Sequence, residues 1–177
     1  MSTAPGRMVH ELLSVTSDNY SAMMNAAFQA ANERLEKVAS YTNKSMASTL
    51  TMSLIQDAQL QTAHAGDTRV YEVSVPTRTI RRLTEDHRLQ QNGVASHVIT
   101  RAIGSRNCLP EVGGMNSLEN NSILLTCTDG LHDLVSNEEI LHACLSAETP
   151  RALCKNLIAL ANSRGGPDNI TVAAYCK

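Results

Sequence analysis

The chain has 177 residues, 42% of them hydrophobic and 18% charged, which suits an ordinary globular protein with a sizeable core and excludes a disordered one. Net charge is −2 with no block of like charges, and the aromatics (Phe28 and Tyr20, Tyr41, Tyr71 and Tyr175) are scattered, so neither an electrostatic nor a base-stacking nucleic-acid binder is expected. The five cysteines contain no C-x-x-C pair, which reads as reduced thiols in a cytoplasmic protein; "MSTAPGRMVHELLSV" lacks a signal-peptide pattern, and no apolar run approaches the roughly 20 residues of a membrane span.

In chain order, Met24, Ala27, Phe28, Ala31, Leu35 and Val38 recur at helical spacing behind a Ser17-Asp18 cap. They predict a packing helix over about 18–40, with room for a shorter one at about 8–16. From residue 47 the period changes to two, with Leu50, Met52 and Leu54 alternating with Thr49, Thr51 and Ser53. A turn at Gln56-Asp57, the run "AQLQTAHAG", the turn Gly66-Asp67-Thr68, "RVYEV" and "TIRRL" complete four strands in series, read as an antiparallel meander. Residues 84–121 read as a helical turn or two, broken near Gly93 and Gly104. A strand follows over 122–128. Ser136 and Glu139 form a capping box for a helix to about 146, and Thr149-Pro150 opens another that Gly165-Gly166-Pro167 ends near Ser163. "NITVAAYC" is the closing strand. With no repeat, low-complexity tract or linker, residues 1–177 are taken as one domain.

The carboxylates fall in a pattern on this map. Asp129 ends strand 122–128 and Asp168 precedes strand 169–176, so antiparallel pairing of those strands would bring both to one sheet edge. Asp67 lies in the turn after strand 58–65, and Asp86 lies just past strand 79–83, which should return to the same rim. Carboxylates gathered this way repel one another unless a cation lies between them, and an all-oxygen set suits Mg2+ or Mn2+. Taken singly, an Asp after a strand is more often an Asx turn or a helix cap than a metal ligand. His64, His87, His97 and His132 are read as surface or hydrogen-bonded structural histidines.

The runs "AHAGDTRVYEV", "LTEDHRL", "ITRAIGS", "ILLTCTDGLHDLVSNEEI" and "RGGPDNITV" resemble, in order and rough spacing, the metal-dependent (PPM, or type-2C) protein serine/threonine phosphatase family of bacterial type. The resemblance is strongest over 47–177. It implies an α+β fold, an antiparallel β-sandwich flanked by helices with a metal cleft at one edge. Asp129 then resembles a ligand of the family's metal, Asp168 the ligand of its Asp-Asn motif, and Asp86 the Asp that helps hold a third metal. Asp67, Gly130 and Asn169 would lie near the cleft. The family uses metal-bound water, with no side-chain nucleophile, to hydrolyse phosphoserine and phosphothreonine in phosphoproteins.

The sequence departs from the family at its start. The family's first strands carry an Asp-Gly-x-Gly motif whose Asp bridges two metals, whereas the one Asp-Gly here is Asp129-Gly130. The expectation is a chain truncated at its N-terminus, with an incomplete Mn2+ or Mg2+ site, impaired hydrolysis, and sheet edge exposed for self-association. The alternative is a pseudophosphatase that binds a phosphoprotein or regulatory partner without hydrolysing it.

Overall fold

The computed structural model describes residues 20–91, 94–105 and 108–177, and the possible helix at 8–16 and the Ser17-Asp18 cap lie outside them. Helix α1 (Tyr20–Thr42) buries Tyr20, Met24, Phe28 and Asn32, one residue per turn along a single face. Strands β1 (Leu50–Gln56) and β2 (Gln59–Ala65) form a hairpin in which Gln56 faces Gln59. Its two central residues, Asp57 and Ala58, have φ of 48° and 66°, the left-handed pair that matches the twist of a two-residue hairpin.

The four-strand meander does not form. Strand β2 pairs with β1 and with the short β7 (Glu111–Val112) and β8 (Asn116–Ser117) in one sheet. Strands β3 (Arg69–Ser74) and β4 (Thr79–Arg82) belong to a second sheet, ordered β10-β9-β3-β4 with β9 (Ser122–Cys127) and β10 (Val172–Cys176). Gly66-Asp67-Thr68 is thus a passage between sheets rather than a hairpin turn. Gly66 makes it possible: its φ is +121°, and a Cβ there would lie 2.3 Å from Thr49 Cγ2.

The segment read as helical turns is also extended, as the hairpin β5 (Arg88–Gln91) and β6 (Val94–Ile99). In the sequence, Asn-Gly at 92–93 is a strong two-residue hairpin signal.

Three apolar clusters define the layers. Met24 and Phe28 of α1 join Ala63, Ala65 and Ile103, with Leu50, Met52 and Leu54 packed around them. Leu60, Val70, Leu118 and Leu124 fill the space between the two sheets. On the far side, Tyr71, Val73, Ile123, Leu125 and Cys127 meet helices α3 (Asn137–Ser146) and α4 (Pro150–Ser163) through Ile140, Cys144, Leu153, Leu157 and Ala161. In β9, Ile123, Leu125 and Cys127 face the helices and Leu124 the other sheet, the period-two alternation of a strand covered on both faces. The architecture is an antiparallel sandwich flanked by helices. Both helix caps appear as expected: Ser136 and Glu139 make the reciprocal capping box, and Thr149 Oγ1 accepts the Ala152 N–H at 3.1 Å ahead of Pro150.

Candidate functional site

The register of β9 against β10, with Cys127 opposite Val172, puts the residues after β9 beside those before β10. Asp129 opens the one-turn helix α2 (Asp129–His132). Thr128 ties the two segments together: its N–H donates to Thr171 O at 3.1 Å, and its hydroxyl accepts the Thr171 N–H at 3.0 Å. Gly130 presses against the opposite segment so closely that a Cβ would lie 2.4 Å from Asn169 O. The outcome is a cleft of about 330 Å³ lined by Asp129, Gly130, Asp133, Leu134, Pro167 and Asp168. Asp129 and Asp168 each accept the N–H of the next residue, Gly130 at 2.9 Å and Asn169 at 2.7 Å, so both carboxylates have one oxygen oriented by the backbone.

Asp86 is committed elsewhere. Arg69 grips it bidentately, Nε to Oδ1 at 2.9 Å and Nη2 to Oδ2 at 2.6 Å, and Arg82 approaches within 3.6 Å. Burial alone would push the Asp86 carboxyl up, but the Arg69 hydrogen bonds and charge outweigh it and hold Asp86 below the usual carboxylate range. Asp67 is buried at the passage from β2 to β3, where its carboxylate accepts from Arg88 Nε at 2.6 Å.

Two participants escaped the sequence reading. Asp133 lies one helical turn after Asp129, in "TDGLHD", a spacing that could have marked it. Arg88 left no such signal. Its side chain is 6% exposed, and its nitrogens reach Asp67, Asp129 (Nη2 to Oδ2, 3.0 Å) and Asp133 (Nη1 to Oδ2, 3.2 Å).

A second donor group lies on the other sheet. Among the described residues, His64, His87 and Glu111 form the one set of three metal-type donors whose ligand atoms all lie within 4.8 Å of one another. The imidazoles stack with centroids 4.5 Å apart and planes 7° from parallel. His64 Nε2 lies 2.8 Å from Glu85 O and must donate to it, since a carbonyl only accepts. His87 Nδ1 accepts the Gly66 N–H at 3.1 Å, which puts its proton on Nε2, facing Glu111 Oε2 at 3.1 Å. Both His87 nitrogens are engaged, so an ion held by His87 here would have to break an existing hydrogen bond. The side chain of His97 lies outside the described residues.

Burial lowers the pKa of His64 and of His132, whose Nε2 donates to Asp67 O at 3.0 Å. Both rings stay neutral in the folded state below the pH at which the unfolded chain takes up a proton. Their contribution is complete above about 6.5 and is lost as pH falls below it, with a slope of up to ~1.4 kcal/mol per pH unit for each ring. Asp86 and Glu111, held below their ordinary values, titrate at lower pH and leave this window to the histidines. Urea unfolding at pH 7.5 and 5.5 is expected to show a lower midpoint at 5.5, and a smaller difference in His64→Asn. An identical midpoint at both pH values would refute this account.

A family model for protein phosphatase 2C matches residues 4–93, about half of the chain. The chain belongs to the protein phosphatase 2C family. It is 31% identical to a protein phosphatase 2C-type protein of Streptococcus pyogenes over 82% of this chain and 64% of that one. The serine/threonine phosphatase of S. agalactiae has the same fold, with TM-score 0.82 and 28% identity over 92% of this chain and 73% of that one. The catalytic domain of the serine/threonine phosphatase PstP, solved in complex with two manganese ions, matches with TM-score 0.81 and 28% identity over 96% of this chain and 76% of that one. The chain spans less than two thirds of the length of the curated relatives it matches. None of its described helices is long and apolar enough to cross a membrane.

Within this phosphatase 2C frame, the donor chemistry of the cleft fits a hard divalent cation. The cleft offers carboxylate oxygens with no thiol or imidazole, and Mg2+ or Mn2+ is commonly bound through one or two carboxylates with water completing its shell.

Proposed function

We propose that this chain is a phosphatase 2C-type domain acting on phosphoserine and phosphothreonine in proteins, with Asp129 and Asp168 as its Mn2+ or Mg2+ ligands and with impaired turnover as it stands. The observation that carries the reading is the meeting of Asp129 and Asp168 in one cleft through the β9–β10 register. A bound divalent ion would supply an activated water and neutralise charge on the phosphoryl group. The chain's own residues divide the remaining tasks. Gly130 N–H and Asn169 N–H fix one oxygen of each ligand carboxylate, and the other oxygen of Asp129 accepts from Arg88. Gly130 and Asn169 therefore act as orienting groups, and Asp133 adds negative charge on the same wall. Asp67 supports the site indirectly, through Arg88 and through its carbonyl contact with His132.

Impairment follows from the number of carboxylates. The single Asp-Gly of the chain is already used at Asp129, and Asp86, assigned by resemblance to a third metal, is paired with Arg69. Residues that act on one transition state as a unit lose most of their joint effect when one is missing.

The test is turnover of p-nitrophenyl phosphate with saturating Mn2+, for the parent chain and Asp129→Asn. The expected result is a rate well under ~1 per second, abolished in Asp129→Asn. A parent rate at or above that level refutes impairment. Equal, negligible rates in both favour a pseudophosphatase that binds a phosphoprotein without hydrolysing it.

A further inference from the structure

Arg88 lies among the carboxylates where a cation would be placed. It enters from β5, which belongs to neither large sheet, and reaches Asp67 between the sheets as well as Asp129 and Asp133 at the edge of the second. Each guanidinium nitrogen has its own carboxylate, a division that the flat, forked Arg head permits and a lysine ammonium would not. Burial alone would lower the Arg88 pKa, yet the Asp67 and Asp133 bonds raise it, so the positive charge is fixed at all ordinary pH values. Both oxygens of Asp129 are engaged: Oδ1 accepts from Gly130 N–H at 2.9 Å and Oδ2 from Arg88 Nη2 at 3.0 Å. A divalent ion that takes Oδ2 has to share it with the guanidinium or displace it.

We propose that Arg88 is a built-in counter-cation of the acidic cleft, a positioning residue that holds Asp67, Asp129 and Asp133 together and competes with divalent ions for Asp129. The proposal rests on the reading of Asp129 and Asp168 as metal ligands. Its three ion pairs offset the mutual repulsion of the carboxylates at one rim. The proposal also implies that the cleft binds metal more weakly than its carboxylates alone would allow, with Arg88 setting the threshold ion concentration.

The experiment is Mn2+ titration followed by the free-ion spin-resonance signal and by calorimetry, on the parent chain, Arg88→Gln, Arg88→Lys and Arg82→Gln. Arg82→Gln removes the same charge from a residue near Asp86 that makes no bond to Asp129. Arg88→Gln is expected to tighten Mn2+ binding tenfold or more and to lower the unfolding midpoint, whereas Arg82→Gln should change the affinity less than about threefold. Arg88→Lys keeps a charge but loses the three-way grip and should fall between, which decides the matter if Arg88→Gln does not fold. A purely structural role would leave the affinity unchanged or weaken it, and either result overturns the proposal. Equal tightening in Arg82→Gln overturns it too, by assigning the effect to net charge. If Asp129→Asn leaves Mn2+ affinity unaltered in every background, the ion binds elsewhere and the reading of the cleft itself fails. If Asp129→Asn weakens binding but Arg88→Gln does not tighten it, the competition alone is refuted.

Discussion

Replacing Phe28 with alanine is expected to destabilise the protein by about 3–5 kcal/mol. Phe28 is the one phenylalanine of the chain and is fully buried. It lies at the centre of the cluster formed by Met24, Ala63, Ala65 and Ile103, which attaches α1 to the first sheet. Two of its cluster partners are alanines, too short to close over the space a lost ring would leave, so the cavity would persist rather than collapse. Such a loss is a large share of the 5–15 kcal/mol typical of a whole domain. Urea unfolding should report it as a drop in midpoint of about 2 M, for a slope near 2 kcal/mol/M. A loss below about 1 kcal/mol would mean that the helix does not depend on this contact.

Gly130→Ala is expected to affect stability and the cleft together. The added methyl would lie 2.4 Å from Asn169 O, 3.0 Å from Asn169 C and 3.2 Å from Ile170 Cγ1. The nearest atoms are backbone and cannot rotate away, so the segment 168–170 must move out by about an ångström, at ~1–3 kcal/mol for overpacking. The Thr128 bonds to Thr171 resist that shift, and what yields is the spacing of Asp168 from Asp129. Mn2+ affinity should fall tenfold or more, because carboxylates that share one small ion tolerate little displacement. Gly114→Ala is the control: nothing lies within 4 Å of a Cβ there, and it should change neither affinity nor stability by more than ~0.5 kcal/mol. If Gly130→Ala binds Mn2+ as tightly as the parent, Asp129 and Asp168 do not act on one ion.

Much of this arrangement was legible in the sequence because it depends on neighbours along the chain. The capping box at Ser136, the Thr149-Pro150 helix start and the period-two runs of β1, β2 and β3 are local, and each appears where the residues place it. The order of the phosphatase-like segments implied a two-sheet sandwich although the strand pattern alone suggested one meander. Asp129 and Asp168 could be brought together on paper because a strand's last residue and its antiparallel neighbour's first must share an edge.

What the sequence could not decide is which distant partner each group meets. A Gly-Asp turn looks the same whether the next strand returns beside the last or crosses to another sheet; the choice is made by Leu60, Val70 and Leu124 burying one another between the sheets. Asp86, which resembles a ligand of a third metal in the sequence, is paired in the structure with Arg69, 17 residues away. Arg88 carries no mark in the sequence, yet three carboxylates from two other parts of the chain converge on its guanidinium. Helix caps and strand periods follow from short-range sterics and hydrogen bonds and are written in consecutive residues. Charge pairing acts through space, between groups that only the packed core brings within a few ångströms, so the tertiary structure alone decided which arginine each of these carboxylates meets.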